Sequence, residues 1–471
     1  MKKLSELYKG YPDIPIKSIK INSKQVEEGD IFVCVMGVNE DRHNYIDEAI
    51  SNGASAIVVS RDVTASVPVI KVENTNLELS LLASRFYNHP ENYLDIIGTT
   101  GTNGKTTVAS IIQDLIGNDI CGYLGTNGII CSKFNESIRN TTPDSDRLYD
   151  YFRRFVDSGC KMLSMEVSSE AFYRDRVSNL KFKIGIITNI TEDHLNVHKT
   201  IENYVLCKKK LVEQVRDDGF SILNIDDKYY DEVRKVAKGT VLTYGKKDST
   251  LQIVNVKQSL INSIITFKYQ DNLYEVNSPL LGEFNAYNLA AAILALLANG
   301  YKIEDVISRV ANIKVPSGRV QNLDYGQNYH IILDYAHTTD AFINLFNLIN
   351  KVKTSKVITI TGSAGGREKE KRPLMGKVVL DNSDYVIFTM DDPRYEDPRK
   401  IISDLVSASN KNNYEIIIDR KEAIYKALSI AEKDDIILVA GKGIDNYMAI
   451  EDKYLPYSDL KVIDSYFRKE D

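Results

Sequence analysis

The most constraining feature of this sequence is the glycine-rich stretch Gly98–Thr107, which reads Gly-Thr-Thr-Gly-Thr-Asn-Gly-Lys-Thr-Thr. It follows the apolar run 94–97 and precedes a helical pattern that starts at Val108. A strand, a glycine-rich turn and a helix in this order aim successive backbone N–H groups and a helix N-terminus at one point, where polyphosphate binds. The stretch therefore predicts a nucleotide phosphate site.

Within this loop, Lys105 would neutralise the β- and γ-phosphates and the Thr106 hydroxyl would hold Mg²⁺. The full phosphate-loop pattern has a glycine five residues before Gly104, where this chain has Thr99. The loop is thus a variant, and its structural alternative is an ordinary glycine-rich turn. We favour nucleotide binding because Gly-Lys-Thr stands at a helix start. The predicted nucleotide contacts of the loop are Gly101, Thr102, Asn103, Gly104, Lys105, Thr106 and Thr107.

Composition limits the classes of partner. A chain of 471 residues exceeds a single core and suggests about three domains. Its net charge of -6 provides no basic field for nucleic acid. The first residues do not form a signal peptide, and no apolar run is long enough to span a bilayer, so we expect a cytoplasmic protein without a membrane partner. The five cysteines show no Cys-x-x-Cys pair and indicate buried thiols.

Apolar runs alternate with helical patterns along most of the chain, which predicts an α/β fold. Breaks at His89-Pro90 and at 315–318 divide it into an N-terminal α/β domain (1–89), a central domain (90–315) and a C-terminal domain (316–471). Near-continuous β-branched runs in the centre predict a parallel sheet with helices on both faces, with antiparallel strands added over about 240–280. The C-terminal domain reads as a second, Rossmann-like unit.

In α/β sheets the ligand lies beyond the carboxyl ends of the strands. Glu166 ends one predicted strand and offers a hard oxygen ligand for Mg²⁺. Another strand ends at 188–194, where His194 could coordinate metal or contact phosphate. Each has a structural alternative by itself, but together with the loop they favour a functional site. Lys208 lies on an amphipathic helix, and its neighbours alone predict a solvated basic face.

The combination of these motifs resembles the ATP-dependent Mur ligases over essentially the whole chain. The resemblance is carried by segments 101–106, 166–169, 189–194, 204–208, 282–288, 318–319 and 334–338. Within the family the greatest likeness is to the MurE branch of peptidoglycan precursor synthesis, which adds a diamino acid to UDP-N-acetylmuramoyl-L-alanyl-D-glutamate. That likeness is carried by segments 22–26, 29–33, 140–143, 371–376 and 391–398.

The resemblance implies ATP, two Mg²⁺ ions and a lysine carbamate formed from CO₂. Thr106 and Glu166 would hold one ion, and His194 and Lys208 the second. Carbamylation of Lys208 would turn a cation into an anionic oxygen ligand. The implied catalytic residues are Lys105, Glu166, His194 and Lys208. Further implied nucleotide contacts are Asn285 and Asn288 near the adenine, and Arg319 and Asp334 from the C-terminal domain.

The implied partners are ATP, the UDP-N-acetylmuramoyl dipeptide and a diamino acid, and we expect a monomer. Residues implied to hold the UDP-sugar peptide are Ser23, Asn140, Thr141, Thr142, Ser168 and Arg176. Those implied to hold the amino acid are Arg367, Asp391, Asp392, Pro393, Arg394, Gly441 and Asp445.

The identity of the amino acid depends on a few positions. Arg394 offers a bidentate fork for a carboxylate, which favours meso-diaminopimelate. Asp392 stands where diaminopimelate-adding members usually carry Asn, and Ile444-Asp445 replaces the usual His-Glu. The extra anion at Asp392 would favour a cationic end such as that of L-lysine, and segment 441–445 resembles some lysine-adding members. We predict diaminopimelate, with L-lysine as the alternative. Glu170 and Thr339 also depart from the family pattern and leave fine substrate contacts open.

Three other classes of protein share parts of this pattern. A P-loop kinase or NTPase would need only the loop, a Mg²⁺ carboxylate and a base, and it leaves the third domain unexplained. Mur-like partners of glutamine amidotransferases carry a cysteine zinc ribbon, and this sequence has none. Folylpolyglutamate synthetase and cyanophycin-type enzymes share the core, but segments 140–143 and 391–398 argue against them.

Overall fold

The computed structural model describes residues 1–37, 40–193, 195–259, 262–314, 320–443 and 445–468, apart from the side chain of Asn196. His89-Pro90, where we predict the first break, follows the end of a helix. His89 adopts a left-handed φ of +50°, and Pro90 starts a short 3₁₀ turn. The N-terminal elements before it are β1 (Lys2–Lys3), α1 (Leu4–Leu7), β2 (Pro15–Ile16), β3 (Ile19–Lys20), β4 (Asp30–Val33), α2 (Ile46–Ser51), β5 (Ala54–Val59), β6 (Val69–Lys71) and α3 (Thr75–Phe86). Strands β3-β4-β5-β6 form a parallel sheet in that order.

The sheet that carries the phosphate loop follows. Over residues 95–224 its strands run in the order β10-β9-β8-β11-β7-β12-β13. The five strands from β8 to β13 in this order are parallel, and β9 and β10 add an antiparallel edge. The elements are β7 (Asp95–Thr100), α4 (Lys105–Ile116), β8 (Cys121–Gly125), β9 (Gly128–Cys131), β10 (Phe134–Glu136), α5 (Ser145–Asp157), β11 (Met162–Glu166), α6 (Ser169–Tyr173), β12 (Phe182–Ile187), α7 (Leu195–His198), α8 (Ile201–Glu213), β13 (Val215–Asn224) and α9 (Tyr230–Arg234).

The predicted parallel strands of this sheet are confirmed, whereas β8 to β10 escaped prediction. Strand β8 is short and contains Gly122 and Gly125, and glycine weakens the strand signal in a sequence. Because β7, β11 and β12 are parallel neighbours, their carboxyl ends lie at one edge of the sheet. The phosphate loop, Glu166 and the segment after Ile187 start at that edge.

The next elements are β14 (Thr240–Gly245), β15 (Leu251–Gln258), β16 (Ser263–Tyr269), β17 (Asn272–Ser278), α10 (Glu283–Ala298) and α11 (Ile303–Val310). Strands β15, β16 and β17 form the antiparallel meander that alternating apolar residues predict. The chain divides into two compact units, Met1–Thr243 with Leu294–Asn299, and Tyr244–Ile293 with Gly300–Asp471. The division passes through β14 and α10. The predicted domain boundaries therefore stay predictions, and the second, at 315–318, lies outside the described residues.

The C-terminal sheet has the order β18-β19-β23-β20-β21-β22, in which only β18 is antiparallel to its neighbour. The predicted parallel strands are confirmed, while β18 and the hairpin of β24 and β25 were not predicted. The elements are β18 (Gln321–Leu323), β19 (His330–Asp334), α12 (Thr339–Val352), β20 (Val357–Thr361), α13 (Arg372–Asn382), β21 (Tyr385–Phe388), α14 (Pro398–Val406), β22 (Tyr414–Ile416), α15 (Arg420–Ile430), β23 (Ile436–Ala440), β24 (Tyr447–Ile450), β25 (Lys453–Pro456) and α16 (Asp459–Arg468).

Two predictions from composition can be compared with these elements. All five cysteines are free and buried, as predicted. Among the residues described, no helix is both long enough and apolar enough to cross a bilayer.

Helices α13 and α14 approach closely at Gly376, where an added Cβ would collide with the carbonyl oxygen of Leu405. We expect Gly376→Ala to lower the free energy of unfolding by about 1–3 kcal/mol, because the two helices must separate. Alanine favours a helix over glycine by about 1 kcal/mol, so a net loss would have to come from this contact. Urea denaturation measures the change.

The matched control is Lys377→Ala, the adjacent exposed position on the same helix. Lys377 pairs with Asp381, one turn further on, at 2.6 Å. Removing such a surface pair should cost about 0.5 kcal/mol or less. Equal losses in the two variants would contradict the close approach.

Candidate active site

The phosphate loop joins β7 to α4 in a shape that requires glycine. Gly104 caps α4 with φ +88°, a conformation that residues with a Cβ seldom adopt. A Cβ on Gly101 would collide with the Thr188 hydroxyl. Lys105 Nζ donates to the carbonyl oxygens of Gly101 (2.9 Å) and Thr102 (3.0 Å). The lysine therefore lies over the loop that would cradle phosphate.

The segment after β12 holds this loop from one side. The backbone N–H of Thr102 donates to Asn189 O at 2.8 Å, and that of Asn103 to Asn189 Oδ1 at 2.9 Å. Asn189 Nδ2 and Thr188 Oγ1 return hydrogen bonds to Asn103 O at 3.1 and 2.6 Å. These four bonds fix the turn, a supporting role that the strand-end argument did not foresee for Thr188 and Asn189.

Glu166 is fully buried at the end of β11, surrounded by hydrogen-bond donors. Its Oε2 accepts from Thr106 Oγ1 at 2.9 Å, and its Oε1 accepts from Tyr123 OH at 2.5 Å and from Thr126 N at 2.8 Å. Burial, followed by the charge of Glu166, raises the Tyr123 pKa well above its usual value, so the phenol keeps its proton for this bond. A carboxylate beside a threonine hydroxyl is an oxygen donor pair of the kind that Mg²⁺ prefers.

Three of the residues predicted to hold the UDP-sugar peptide gather beside Glu166. Thr142 Oγ1 donates to Glu166 O and accepts from Ser168 N, both at 3.0 Å. The hydroxyl oxygens of Thr141 and Thr126 lie 3.1 Å apart. The predicted phosphate and acceptor residues are thus joined through Glu166 and Thr126.

The other three are placed differently. Arg176 holds the turn that contains Thr142, donating to Thr142 O at 3.0 Å and to Asp144 Oδ1 at 2.6 Å. Asn140 is exposed in the same turn. Ser23 lies in the N-terminal α/β region, where its hydroxyl donates to Glu48 Oε2 at 2.5 Å.

Lys208 corrects the prediction of a solvated basic face, because its side chain is only 1% exposed. Residues 204, 208 and 211 follow the helical period and share the buried face of α8. Lys208 Nζ lies 4.4 Å from the centre of the Tyr204 ring, and Tyr204 OH is 3.2 Å from Thr102 Oγ1. Burial and then the positive charge of Lys105 hold the Lys208 pKa well below its ordinary value, opposed by Asp193 and Asp227.

The structure describes only some of the other residues predicted to bind the nucleotide or its metal ions. His194 and Arg319 lie outside the described residues. Asn285 and Asn288 are buried on α10, with Asn288 Nδ2 donating to Asn285 Oδ1 at 2.9 Å. Asp334 ends β19 and accepts from the N–H groups of Val320 and Ala336, both at 2.7 Å. Within the described part of the chain, no cluster of three His, Cys, Asp or Glu residues could hold a metal ion.

Three of the residues predicted to hold the amino-acid substrate, Asp391, Asp392 and Asp445, lie around Lys442, a fully buried lysine that the sequence did not single out. Lys442 Nζ is 2.7 Å from Asp392 Oδ1, 3.6 Å from Asp391 and 3.8 Å from Asp445. Asp392 Oδ1 also accepts from Ala449 N at 2.9 Å. Burial, only partly offset by Lys442, raises the Asp445 pKa to about 6. Asp392, the additional carboxylate that suggested L-lysine as substrate, therefore pairs with a lysine of the protein itself.

Arg394 and Arg367 lie on the loops that follow β21 and β20. Arg394 has a φ of +52° and is fixed by its own N–H to Ala449 O at 3.0 Å. Its side chain is half-buried, while that of Arg367 is exposed. Pro393 is buried beside Arg394, and Gly441 leaves no room for a Cβ, which would lie 2.6 Å from Asp391 Oδ2.

Two site features escaped the sequence argument for identifiable reasons. Tyr123 lies in β8 and Thr126 follows its last residue, and because the glycines of β8 weaken its strand signal, the strand-end rule does not point to either residue. Lys442 stands in a Gly-Lys-Gly turn at the end of β23, where the same rule could have found it. The contacts of Lys442 with Asp391 and Asp392 form only in the fold and leave no local signal in the sequence.

Comparisons with known proteins cover the whole chain. Residues 15–87 match the family model described as Mur ligase family, catalytic domain. Residues 99–296 match the Mur ligase middle domain, and 318–443 match Mur ligase, glutamate ligase domain.

Similar full-length proteins are named UDP-N-acetylmuramoyl-L-alanyl-D-glutamate--2,6-diaminopimelate ligase. The one from Bacillus cereus is 37% identical over 467 residues, covering 96% of this chain and 95% of its own. That from Fusobacterium nucleatum subsp. nucleatum is 39% identical over 453 residues, covering 94% and 92%. A solved structure of an enzyme with this name matches with a TM-score of 0.70 at 27% identity, covering 100% and 99%. The predicted three-domain α/β fold is confirmed, and the chain belongs to the Mur ligase family.

Proposed function

We propose that this chain is an ATP-dependent ligase that adds meso-diaminopimelate to UDP-N-acetylmuramoyl-L-alanyl-D-glutamate. The observation that carries the proposal is the set of bonds around Glu166. The Glu166 carboxylate accepts a hydrogen bond from Thr106 of the phosphate loop. The backbone oxygen of Glu166 accepts one from Thr142, which we assign to the UDP-sugar peptide. ATP phosphate and the carboxylate to be activated would therefore meet at the same edge of the sheet.

Amide formation needs this arrangement because a carboxylate at neutral pH is a poor electrophile. The acceptor carboxylate attacks the γ-phosphorus of ATP, ADP leaves, and the resulting acyl phosphate is attacked by the amine. The tetrahedral adduct expels inorganic phosphate and loses a proton to give the amide. Positioning and charge neutralisation supply most of the catalysis in such transfers, and Lys105 would supply part of the neutralisation.

Thr106 and Glu166 would hold one Mg²⁺ ion, since hydroxyl and carboxylate oxygens suit it and lie 2.9 Å apart. Bound Mg²⁺ supplies charge neutralisation between anions that otherwise repel each other. We assign Lys208, as a carbamate formed from CO₂, and His194 to a second ion. Burial and the nearby Lys105 favour the uncharged amine of Lys208, which is the form that reacts with CO₂.

The choice of diaminopimelate over L-lysine is supported by charge. Diaminopimelate ends in both an ammonium and a carboxylate, and Arg394 offers a bidentate partner for that carboxylate. Asp392, the residue that favoured L-lysine, lies 2.7 Å from Lys442 Nζ and so has a cationic partner within the protein. The related enzymes from Bacillus cereus and Fusobacterium nucleatum subsp. nucleatum are also named for 2,6-diaminopimelate.

A P-loop kinase or NTPase left the third domain unexplained. The match of residues 318–443 to the glutamate ligase domain of the family now accounts for it.

The proposal predicts that ADP release requires both the UDP-dipeptide and an amino acid, with meso-diaminopimelate preferred in a panel that includes L-lysine and L-ornithine. A coupled assay for ADP measures the rates, and mass spectrometry identifies the product. A clear preference for L-lysine would overturn the substrate while leaving the ligase intact. ADP formation that needs no amino acid would favour an NTPase instead.

We expect Lys208→Ala to abolish ligation, because the anionic ligand that the carbamate would provide is lost. Acetate or propionate added to the buffer should restore part of the rate by occupying the vacated space. The matched control is Lys209→Ala, the next and partly exposed residue of α8, which should ligate normally. Full activity of Lys208→Ala without added carboxylate would contradict the assignment of Lys208 to the second ion.

A further inference from the structure

A buried guanidinium, that of Arg372, contacts the two loops that carry Arg367 and Arg394, the arginines assigned to the amino-acid substrate. Arg372, the first residue of α13, is 1% exposed. Its Nη1 and Nη2 each lie 3.0 Å from an oxygen of Glu396, which gives a bidentate pair. Nη1 also donates to Asp404 Oδ2 at 2.9 Å, and Nη2 to Ala364 O at 3.2 Å. One side chain thus joins the loop after β20, the loop after β21 and helix α14.

Glu396 makes a second connection between the same two loops. Its Oε1 accepts a 2.6 Å hydrogen bond from the backbone N–H of Gly366. Arg372 first, and then the Gly366 N–H, lower the Glu396 pKa to about 2 against the cost of burial. The carboxylate therefore stays ionised across the physiological pH range, and the connection is charge-assisted, which makes it strong.

The residues next to these contacts are the two arginines assigned to the amino acid. Arg367 follows Gly366 directly, and Arg394 precedes Glu396 by two positions. The Arg394 side chain lies against Gly366, since a Cβ there would be 3.6 Å from Arg394 Cδ and 3.7 Å from Nη1. The loops also share a backbone bond from Gly365 N to Asp392 O at 2.9 Å.

We propose that Arg372 and Glu396 are positioning residues that set the distance between Arg367 and Arg394. That distance in turn determines how well the site binds an amino acid whose side chain ends in a carboxylate. This inference rests on the function proposed above. Neither residue is assigned to touch substrate. The pair acts by holding two loops in one arrangement, and binding groups must be held closely to be effective.

Glu396→Gln tests the inference, because it keeps the size of the side chain and removes the charge that binds Arg372. We expect the KM for diaminopimelate to rise by about tenfold to about a hundredfold. The KM values for ATP and the UDP-dipeptide should not change, a split that general destabilisation would not produce. Glu396→Asp, which keeps the charge but shortens the reach, should fall between the wild type and Glu396→Gln.

The matched control is Asp404→Asn, which removes the other acidic partner of the same guanidinium. Asp404 belongs to α14 and to neither loop, so this variant should lose stability and keep its KM for diaminopimelate. An unchanged KM in Glu396→Gln, or an equal rise in Asp404→Asn, would overturn the inference.

Amide hydrogen exchange at Gly366 provides a readout independent of catalysis. The Gly366 amide should be protected in the wild type and in Asp404→Asn, and should exchange faster in Glu396→Gln. Unchanged protection in Glu396→Gln would refute the loop connection whatever the enzyme ligates. A wild type that ligates no amino acid would instead refute the proposed function, and the exchange result would still decide whether the pair holds the loops.

Discussion

The buried carboxylate of Glu166 is the interaction on which the central site depends. An ionised carboxylate without water is stable only when donors surround it, and here Thr106, Tyr123 and Thr126 supply them. Those donors come from α4, from β8 and from the turn after β8. The same residue's backbone oxygen binds Thr142. Through its carboxylate and its backbone oxygen, Glu166 therefore fixes the position of the phosphate loop relative to the turn that contains Thr142.

Buried cations show a second pattern. Arg372, Arg420 and Lys442 each lie within 3.0 Å of a carboxylate oxygen, and the pair of Arg420 with Asp459 is wholly buried. Losing one partner of such a pair leaves an uncompensated charge, so these pairs hold their elements firmly. Lys208 differs, because its pKa is lowered by burial and by a like charge. Because a lowered pKa favours the uncharged amine, Lys208 is better suited to conversion into an anionic carbamate than to a role in a structural ion pair.

Much of this organisation could be predicted from sequence, and the failures have physical causes. The phosphate loop, Glu166 at its strand end and the parallel strands all have local signatures in apolar runs and glycine spacing. The burial of Lys208 depends on which face of α8 meets the sheet, and a run of three lysines hides it. Lys442 and the pair of Arg372 with Glu396 depend on loops that meet only after folding.

The same limit applies to substrate choice. Asp392 by itself suggests a cationic substrate, and only the fold shows that its carboxylate lies 2.7 Å from the ammonium of Lys442. The names of the related enzymes point to what neither composition nor spacing could indicate, namely the acceptor and the amino acid.

The central claim is that the acceptor carboxylate is activated by phosphoryl transfer from ATP. Its most direct test is a single ligation with a heavy oxygen isotope in that carboxylate, followed by mass spectrometry of the released phosphate. Transfer through an acyl phosphate predicts one labelled oxygen in each phosphate released with an amide bond. Unlabelled phosphate, formed at the same rate as the amide, would contradict the account.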